Sequence, residues 1–527
     1  MSPDKDPSSG TRRPVPAYIE ATAETQAIPV VAHKMELAAA RDALLQEKMS
    51  PVEAAQLPTS SRLDDLEAAR ERRKENRYKR LQRLSSLEPK RGPVVEGLGP
   101  WSFILPFAGY IAWWALGPGD LAWPIGAIIM VIAWQGVRGL RIPAPWILWI
   151  AFLAWVPLTF MMIDTSGRVV GAIYRYILLI APFIFAIHVY NARRRLPLRA
   201  ILATMTVFLL SITIGGYIAM AFPELVIRTP MAYVLPDGLL GNELVREMAI
   251  RRTTQWEATN IIATEPRPSA PFLYANTWGN VYSLVLPLAL VHCLFEFRLK
   301  SRWRWPAVAV CVASVVPAVN TLNRGMFIGL GVVAVWVAIQ FLLAGRWRGV
   351  SVGAALLAIV GFIWAISPSG AEFFHRAATA QSTVDRMLLY YATIEELWKS
   401  PILGFGAPRP SPTPWLPSLG TQGQFWNVLF SHGLVGVLLF VGFFGLIFFL
   451  ALGRRDILGS TLAGLVLATL AESFVYGMMT GMMLSLLAVA LLARGDSVEK
   501  EVERINTEDL LRKSQTQPST RRQLVRG

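Results

Sequence analysis

The sequence predicts an all-α membrane protein with about twelve transmembrane helices, two long outer-side loops and polar cytoplasmic tails. Of the 527 residues, 53% are hydrophobic and only 17% are charged, and the mean hydropathy is +0.41. Since soluble domains carry about 25% charged residues, most of this chain cannot be solvated surface. Apolar runs of nearly the length that crosses a bilayer, roughly 20 residues, recur between residues 100 and 493.

The two ends of the chain are polar. Residues 1–99 and 494–527 are predicted to be cytoplasmic, with helical patterns at 35–48, 62–85 and 499–513. Ten Lys or Arg lie between Arg70 and Arg91, just before the first apolar run. A basic cluster beside a membrane attracts anionic lipid. The net charge of +15 therefore indicates membrane lipids as partners and no nucleic acid.

The polytopic domain is predicted over 100–493. Sidedness follows from Lys and Arg, which gather on the cytoplasmic side of membrane helices. Each even-numbered run ends on basic residues, as at Arg193-Arg194-Arg195, whereas the opposite ends read Gly-Pro-Gly-Asp and Ile-Asp-Thr-Ser. Both termini are therefore expected in the cytoplasm. The predicted spans are 101–117, 120–137, 144–162, 169–190, 199–221, 272–296, 304–320, 325–344, 349–367, 425–452, 457–476 and 478–493.

Two outer loops, 222–271 and 368–424, exceed the usual connection length, and such loops are often functional. In the second, Met387, Tyr391, Ile394 and Trp398 recur at three- and four-residue spacing. This spacing predicts an amphipathic helix against the bundle or the membrane surface.

Arginines on the outer side are not explained by topology. Arg267 precedes the sixth run, Arg324 opens the eighth and Arg386 lies in the second loop. The guanidinium group offers a fixed fork of donors that matches phosphate oxygens. Each arginine has a structural alternative, which is to snorkel towards lipid phosphate or to pair with a loop carboxylate.

Other polar residues within or beside the apolar runs each have a functional and a structural interpretation. Asn276 and Asn280 either line a cavity or bond a neighbouring helix. Glu472 is a functional membrane carboxylate or a solvated helix end, and His432 is a proton carrier or a packing histidine. Both cysteines lie in apolar runs, and the chain has no histidine pair at metal-ligand spacing and no phosphate loop. Chemistry without a metal or cofactor is expected.

Several segments resemble the O-antigen ligase and polymerase superfamily of bacterial membrane glycosyltransferases. They span about 265–450 and occur in the order and with the sidedness typical of that superfamily. They are Ala-Pro-Phe-Leu-Tyr-Ala-Asn-Thr-Trp at 270–278, Asn323-Arg324-Gly325, Asp385-Arg386, Pro-Ile-Leu-Gly-Phe-Gly at 401–406 and Gly-Leu-Val-Gly at 433–436.

The resemblance implies an inner-membrane enzyme that polymerises or transfers glycans from a polyprenyl-diphosphate-linked donor to a glycan or lipid-linked acceptor. It implies catalytic roles for Arg324 and Arg386. It also implies substrate binding by Arg267, Asn276, Asn323, Gln422, His432 and Glu472. The general base stays open among Glu472, Glu395, His432, Asp385 and Glu265.

One departure from the resemblance bears on the reaction. Ligases of this superfamily carry His-Asn about eleven residues before the Gly-Leu-Ile-Gly segment, where this chain has Gln422-Gly423. Gln422 cannot act as a base, so a polymerase is favoured over a ligase.

Three other functions remain open from the sequence. They are a transporter or flippase of a lipid-linked glycan, a peptidoglycan polymerase of the shape-and-division class, and a non-catalytic assembly protein. A transporter needs charges in mid-membrane. Few occur, with Arg175 the clearest, and this counts against transport.

Overall fold

The computed structural model of the protein describes residues 99–516 except 136, 138, 242, 256–265, 368–369, 372–380 and 414–415. The predicted N-terminal helices at 35–48 and 62–85 lie outside the described residues. The described part is mostly helical, as predicted, and helix Val498–Thr516 covers the pattern at 499–513.

Helices occur at each of the twelve positions where a span is predicted, and short ones occur in the first outer loop. Three 3-10 turns cover Gly119–Leu121, Ala144–Trp146 and Phe160–Met162. The α-helices are α1 (Trp101–Ala108), α2 (Tyr110–Leu116), α3 (Ala122–Ala133), α4 (Ile147–Thr159), α5 (Ser166–Asn191), α6 (Leu198–Ala221), α7 (Pro230–Val234), α8 (Asp237–Leu240), α9 (Glu243–Ala249), α10 (Ala275–Arg298), α11 (Arg304–Asn320), α12 (Arg324–Leu343), α13 (Trp347–Ala365), α14 (Gln381–Leu397), α15 (Gln424–Ala451), α16 (Ile457–Glu472), α17 (Gly481–Arg494) and α18 (Val498–Thr516).

Six of the described helical segments are long and apolar enough to cross a membrane. They are Ala144–Met162, which contains α4, together with α5, α6, α10, α12 and α15. A seventh is added if α17 and the start of α18, bent by 64° between them, count as one span. Several other predicted positions hold shorter apolar helices, such as Arg304–Asn320 and Ile457–Glu472. The protein is thus an integral membrane protein, and the count of twelve spans stays a prediction.

Helix α10 lies at the centre of the bundle and packs against α6, α11, α12, α16 and α17. Within its apolar window 78% of the residues are buried, against 22% for α12. Small side chains let helices approach closely inside a membrane. Gly279 and Ser283 provide this close approach where α10 meets Asn323 and Glu472.

Five helices form a closed ring beside α10. Helix α5 packs on α17, α17 on α16, α16 on α15, α15 on α4, and α4 returns to α5. This arrangement is called the five-helix ring below.

Helix α15 is broken at Gly433, which has φ 67° and ψ −168°. The Pro-Ile-Leu-Gly-Phe-Gly segment satisfies the freed backbone groups: Phe405 N donates to Phe430 O at 2.9 Å and Leu434 N to Pro401 O at 2.8 Å. A Cβ at position 433 would lie 2.1 Å from Ile402 O. Glycine is required there by both the backbone angle and the close approach.

The first outer loop carries four short strands in two antiparallel pairs. β1 (Val226–Arg228) pairs with β2 (Ile250–Arg252), and β3 (Thr254–Gln255) pairs with β4 (Arg267–Pro268). In the second pair Gln255 stands opposite Arg267. This pairing positions Arg267 at the entrance of α10.

Candidate functional site

Arg267 joins the ends of two membrane helices. Its Nη2 donates to Asn323 Oδ1 at 2.8 Å and to Asn276 Oδ1 at 3.4 Å, and its Nε donates to Thr321 O at 2.9 Å. These acceptors are neutral oxygens. Three residues predicted separately from the sequence, Arg267, Asn276 and Asn323, are therefore in direct contact.

Asn323 ties the starts of α10 and α12 together. It is buried, and its Nδ2 donates to Ala275 O at 2.6 Å. A Cβ at Gly279 would lie 2.7 Å from that nitrogen, so the glycine leaves room for the asparagine. The next residue, Arg324, is half-buried and is the first residue of α12.

Glu472 is a fully buried carboxylate at the end of α16. Its Oε2 accepts a hydrogen bond from Asn280 Nδ2 at 2.7 Å. Its Oε1 forms no hydrogen bond within the described residues, because the Ser283 hydroxyl donates to Asn280 O at 2.7 Å instead. A carboxylate inside a membrane bundle is costly and is usually functional. This contact makes Asn280 the hydrogen-bond partner of Glu472.

Tyr476, one turn beyond Glu472, was missed by sequence reasoning. Its hydroxyl lies against the start of α12, where a Cβ at Gly325 would be 2.7 Å from the oxygen. Arg267 and Arg386 both lie close enough to interact electrostatically with it. Helical periodicity does not point to Tyr476, because it lies beyond the last residue of α16.

Arg386 reaches the same region from α14. The helix is docked by Leu389, which is buried against Phe405 and Phe430, and by Tyr390, whose ring stacks on Trp426 at 4.2 Å. Arg386 is half-buried and forms no hydrogen bond or ion pair with a described residue.

The apolar stripe of α14 does not face the bundle. Met387, Tyr391, Ile394 and Trp398 are all exposed, whereas Leu389, Thr393 and Leu397 are buried. The prediction that this stripe packs on the bundle is therefore wrong. Contact with the membrane surface stays a prediction.

The starts of α10, α12 and α15 lie in the same region. Gln424 N, at the start of α15, donates to Tyr476 O at 2.7 Å, and Phe425 N donates to Ser473 O at 2.9 Å. Gln422 is half-buried immediately before this junction. Helix N-termini carry partial positive charge and attract anions. The arginines and the helix N-termini therefore both favour the binding of an anion.

His432 is placed differently. Its Nδ1 is bonded to Thr159 Oγ1 at 2.8 Å, and its carbonyl accepts from Trp155 Nε1 at 2.9 Å. Both partners lie on α4. These contacts are those of a packing histidine at the break in α15, and they do not bring it to Glu472 or Arg267.

The remaining base candidates are not joined to the site by a described contact. Glu395 is exposed on α14, and the side chain of Asp385 and all of Glu265 lie outside the described residues. Among the residues that the structure does describe, no three His, Cys, Asp or Glu side chains gather in a group that suits a metal ion.

Arg168, at the start of α5, clamps the second outer loop and was also missed. It donates to Phe405 O at 2.8 Å and to Pro408 O at 2.9 Å, and it bonds Asp164. Arg409 pairs with the same carboxylate at 3.1 Å. The Arg168 hydrogen bond, with the charges of both arginines, lowers the pKa of Asp164 below its usual range.

Comparison with known proteins gives one family match and no match among curated proteins. Residues 307–450 match the O-antigen ligase family, a stretch that includes Asn323, Arg324 and Arg386 but neither Arg267 nor Glu472. This match confirms the predicted resemblance to the O-antigen ligase and polymerase superfamily over residues 307–450.

Proposed function

We propose that the protein is a membrane glycosyltransferase of the cytoplasmic membrane, with both termini in the cytoplasm. It polymerises or transfers polyprenyl-diphosphate-linked glycans on the outer side for surface polysaccharide assembly, and polymerisation is favoured. The observation that carries the proposal is the arrangement around Tyr476. Arg267 and Arg386 lie near its hydroxyl, and α12 with Arg324 begins against it.

The arginines would hold the diphosphate of the donor. When the bond between the anomeric carbon and the diphosphate oxygen breaks, negative charge grows on the leaving group. Fixed donors aimed at that charge stabilise the transition state. Arg324 and Arg386 have this catalytic role in the proposal, and Arg267, Asn323, Asn276 and Gln422 bind and orient the substrate.

The acceptor supplies a hydroxyl that attacks the anomeric carbon from the face opposite the diphosphate, with inversion. Its proton passes to a base, for which Glu472 is our candidate. The choice rests on the hydrogen bond from Asn280 Nδ2 to Oε2, which fixes the carboxylate in place. The products are the extended glycan and the free polyprenyl diphosphate.

Polymerase is favoured over ligase because of Gln422. A glutamine can bind a sugar hydroxyl but cannot take its proton. His432 does not replace the missing histidine, because its contacts are with Thr159 and Trp155 of α4 and no described contact joins it to Arg267 or Glu472.

The test uses purified protein in proteoliposomes with a lipid-linked oligosaccharide and no gradient. Wild-type protein should yield longer glycans, while Arg324→Ala and Arg386→Ala should each lower the rate about 100-fold, as expected for loss of one transition-state donor. Arg348→Ala is the matched control, since Arg348 is exposed in the first turn of α13, at the end predicted to be cytoplasmic. Full activity in both site variants contradicts the proposal. Unchanged glycans on a translocated lipid would favour a transporter, and transfer to a lipid core would favour a ligase.

A further inference from the structure

Arg175 is a membrane-helix arginine to which the proposed function assigns no role. It lies nine residues after Ser166, the first residue of α5, or about 14 Å along the helix at 1.5 Å per residue. Side chains on a helix lean towards its N-terminus. The guanidinium therefore leans towards the predicted outer end.

The neighbours of Arg175 place it inside the five-helix ring. It is half-buried, and it interacts electrostatically with Tyr174, with Tyr274 before α10, and with His432 at the break in α15. Since α15 stands across the ring from α5, the side chain faces the interior of the ring.

Arg175 forms no hydrogen bond or ion pair with any residue that the structure describes, unlike other arginines of the bundle. Arg168, two turns earlier on α5, binds Asp164 and several carbonyls. Arg494 pairs with Asp496 at 2.7 Å, and Arg251 donates to Gly117 O at 2.9 Å. A desolvated cation without a counter-charge is strongly unfavourable. An anion from outside the chain would remove that penalty.

Two buried hydroxyl groups also lack partners. One belongs to the residue before Arg175 on α5, and the other lies on α15, across the five-helix ring. Within the described residues, Tyr174 Oη and Ser431 Oγ form no hydrogen bond. Tyr174 precedes Arg175 on α5, and Ser431 precedes His432 on α15. Buried polar atoms without a partner are rare in proteins and call for an explanation. One cation and two donors on facing helices suit a ligand with several anionic oxygens.

We propose that Arg175 binds a phosphate of a polyprenyl diphosphate inside the five-helix ring. This inference rests on the proposed function and deepens it. The phosphate has two sources, since the donor and a lipid-linked acceptor both carry one.

The first experiment measures binding to the purified full-length protein in detergent, by native mass spectrometry. The probes are a polyprenyl diphosphate without glycan and the matching polyprenol. Arg175→Gln should weaken binding of the diphosphate about tenfold, the loss expected for one charge-assisted contact. It should leave polyprenol binding unchanged. Arg175→Lys should retain part of the affinity, and Arg348→Gln is the control.

The outcomes separate this inference from the proposed function. Equal diphosphate binding by wild type and Arg175→Gln overturns the role of Arg175 and leaves the proposed function standing. A wild-type protein that binds no polyprenyl diphosphate overturns the proposed function itself, and this inference with it.

A second experiment identifies the source of the phosphate by comparing a lipid-linked acceptor with the same oligosaccharide free of lipid. If Arg175 holds the donor, Arg175→Gln loses activity with both acceptors. If it holds the acceptor, activity falls only with the lipid-linked one. Wild-type rates with both acceptors overturn the assignment.

Thermal unfolding of the ligand-free protein distinguishes a ligand-binding role of Arg175 from a purely structural one. Arg175→Leu should raise the unfolding temperature, because it removes an uncompensated charge, and it should abolish the shift caused by polyprenyl diphosphate. A lower unfolding temperature with an unchanged ligand shift would show that Arg175 only supports the fold.

Discussion

The arginines at the two ends of the bundle differ in their partners. At the end predicted to be cytoplasmic, four arginines pair with carboxylates. The pairs are Arg199 with Glu296 at 2.7 Å, Arg298 with Glu499 at 2.6 Å, Arg454 with Asp456 at 2.8 Å and Arg494 with Asp496 at 2.7 Å. At the predicted outer end, Arg267 donates to amide and carbonyl oxygens. Arg175 and Arg386 form no hydrogen bond or ion pair with a described residue.

This difference teaches where the chain keeps positive charge available. A carboxylate neutralises its arginine, whereas an arginine without a carboxylate partner keeps its charge available to a ligand. The cytoplasmic arginines need no further role, because topology already requires them. Those of the outer end do need one. Asp164, which bonds both Arg168 and Arg409, is the outer exception and serves to fix a loop.

The largest effect on stability should come from Arg199→Ala at the cytoplasmic end. It leaves the carboxylate of Glu296, 1% exposed, without its arginine partner, with His292 Nε2 still 3.5 Å from Oε1. Removal of one partner of such a pair costs about 3 kcal/mol or more. Thermal unfolding in detergent should show this loss, and Arg199→Ala/Glu296→Gln should recover part of it. An unchanged unfolding temperature in the single variant would show that the ion pairs at the cytoplasmic end do not stabilise the fold.

The next largest effect should come from Arg267→Ala at the outer end, and it should be a loss of enzymatic activity. Loss of one fixed donor to the diphosphate predicts a decrease of about 100-fold in glycan extension. Its unfolding temperature should fall as well, because the hydrogen bonds to Asn323, Asn276 and Thr321 O are lost. Initial rates and thermal unfolding of the same preparation measure both. Equal rates with a large loss of stability would make Arg267 structural.

Asp164→Asn should loosen the loop that carries Phe405 and Arg409, because a neutral amide forms no ion pair with either arginine. Between about pH 5 and pH 8, hydrogen exchange at residues 405–409 should be several-fold faster than in the wild type at the same pH. In the wild type the pKa of Asp164 is lowered, by the Arg168 hydrogen bond above all. Its contribution is therefore complete above the ordinary carboxyl pKa, about 3.9, and is lost as the pH falls through the lowered value.

Wild-type protection from exchange at residues 405–409, measured against the intrinsic rate at each pH, should accordingly stay constant from about pH 8 to pH 5 and fall only below about pH 4. Wild-type-like protection in Asp164→Asn would show that the carbonyl contacts of Arg168 hold the loop without the carboxylate.

The smallest effect should come from Arg454→Ala. Its ion pair with Asp456 is partly exposed, and such pairs contribute below about 1 kcal/mol. Asp456 keeps its cap on α16 through the bond from Gly459 N at 2.9 Å. Glycan extension should equal that of the wild type, and thermal unfolding should shift only slightly. A large loss of activity would show that the two ends are coupled.

Much of the fold followed from apolar run length. The runs predicted as spans coincide with helices, because a bilayer-length stretch of apolar residues has few other stable conformations. The break in α15 did not follow. Gly433 looks like any small residue in a membrane helix, and only contact with the 401–406 segment makes its backbone angle necessary.

The candidate site was predicted residue by residue, without its contacts. Arg267, Asn276 and Asn323 were each chosen as polar residues at a span boundary. Periodicity carries no information on which helices meet, so their contact could not be predicted. The same holds for Asn280 with Glu472, which are far apart in the sequence but 2.7 Å apart in the fold.

The sequence by itself determined the membrane class, the helical positions and the excess of arginine at the predicted outer end, because hydropathy and charge are local properties of the chain. The tertiary structure decided which arginines are neutralised and which remain available. That outcome depends on which side chains from distant helices come within hydrogen-bonding distance, and only packing of the whole bundle sets it.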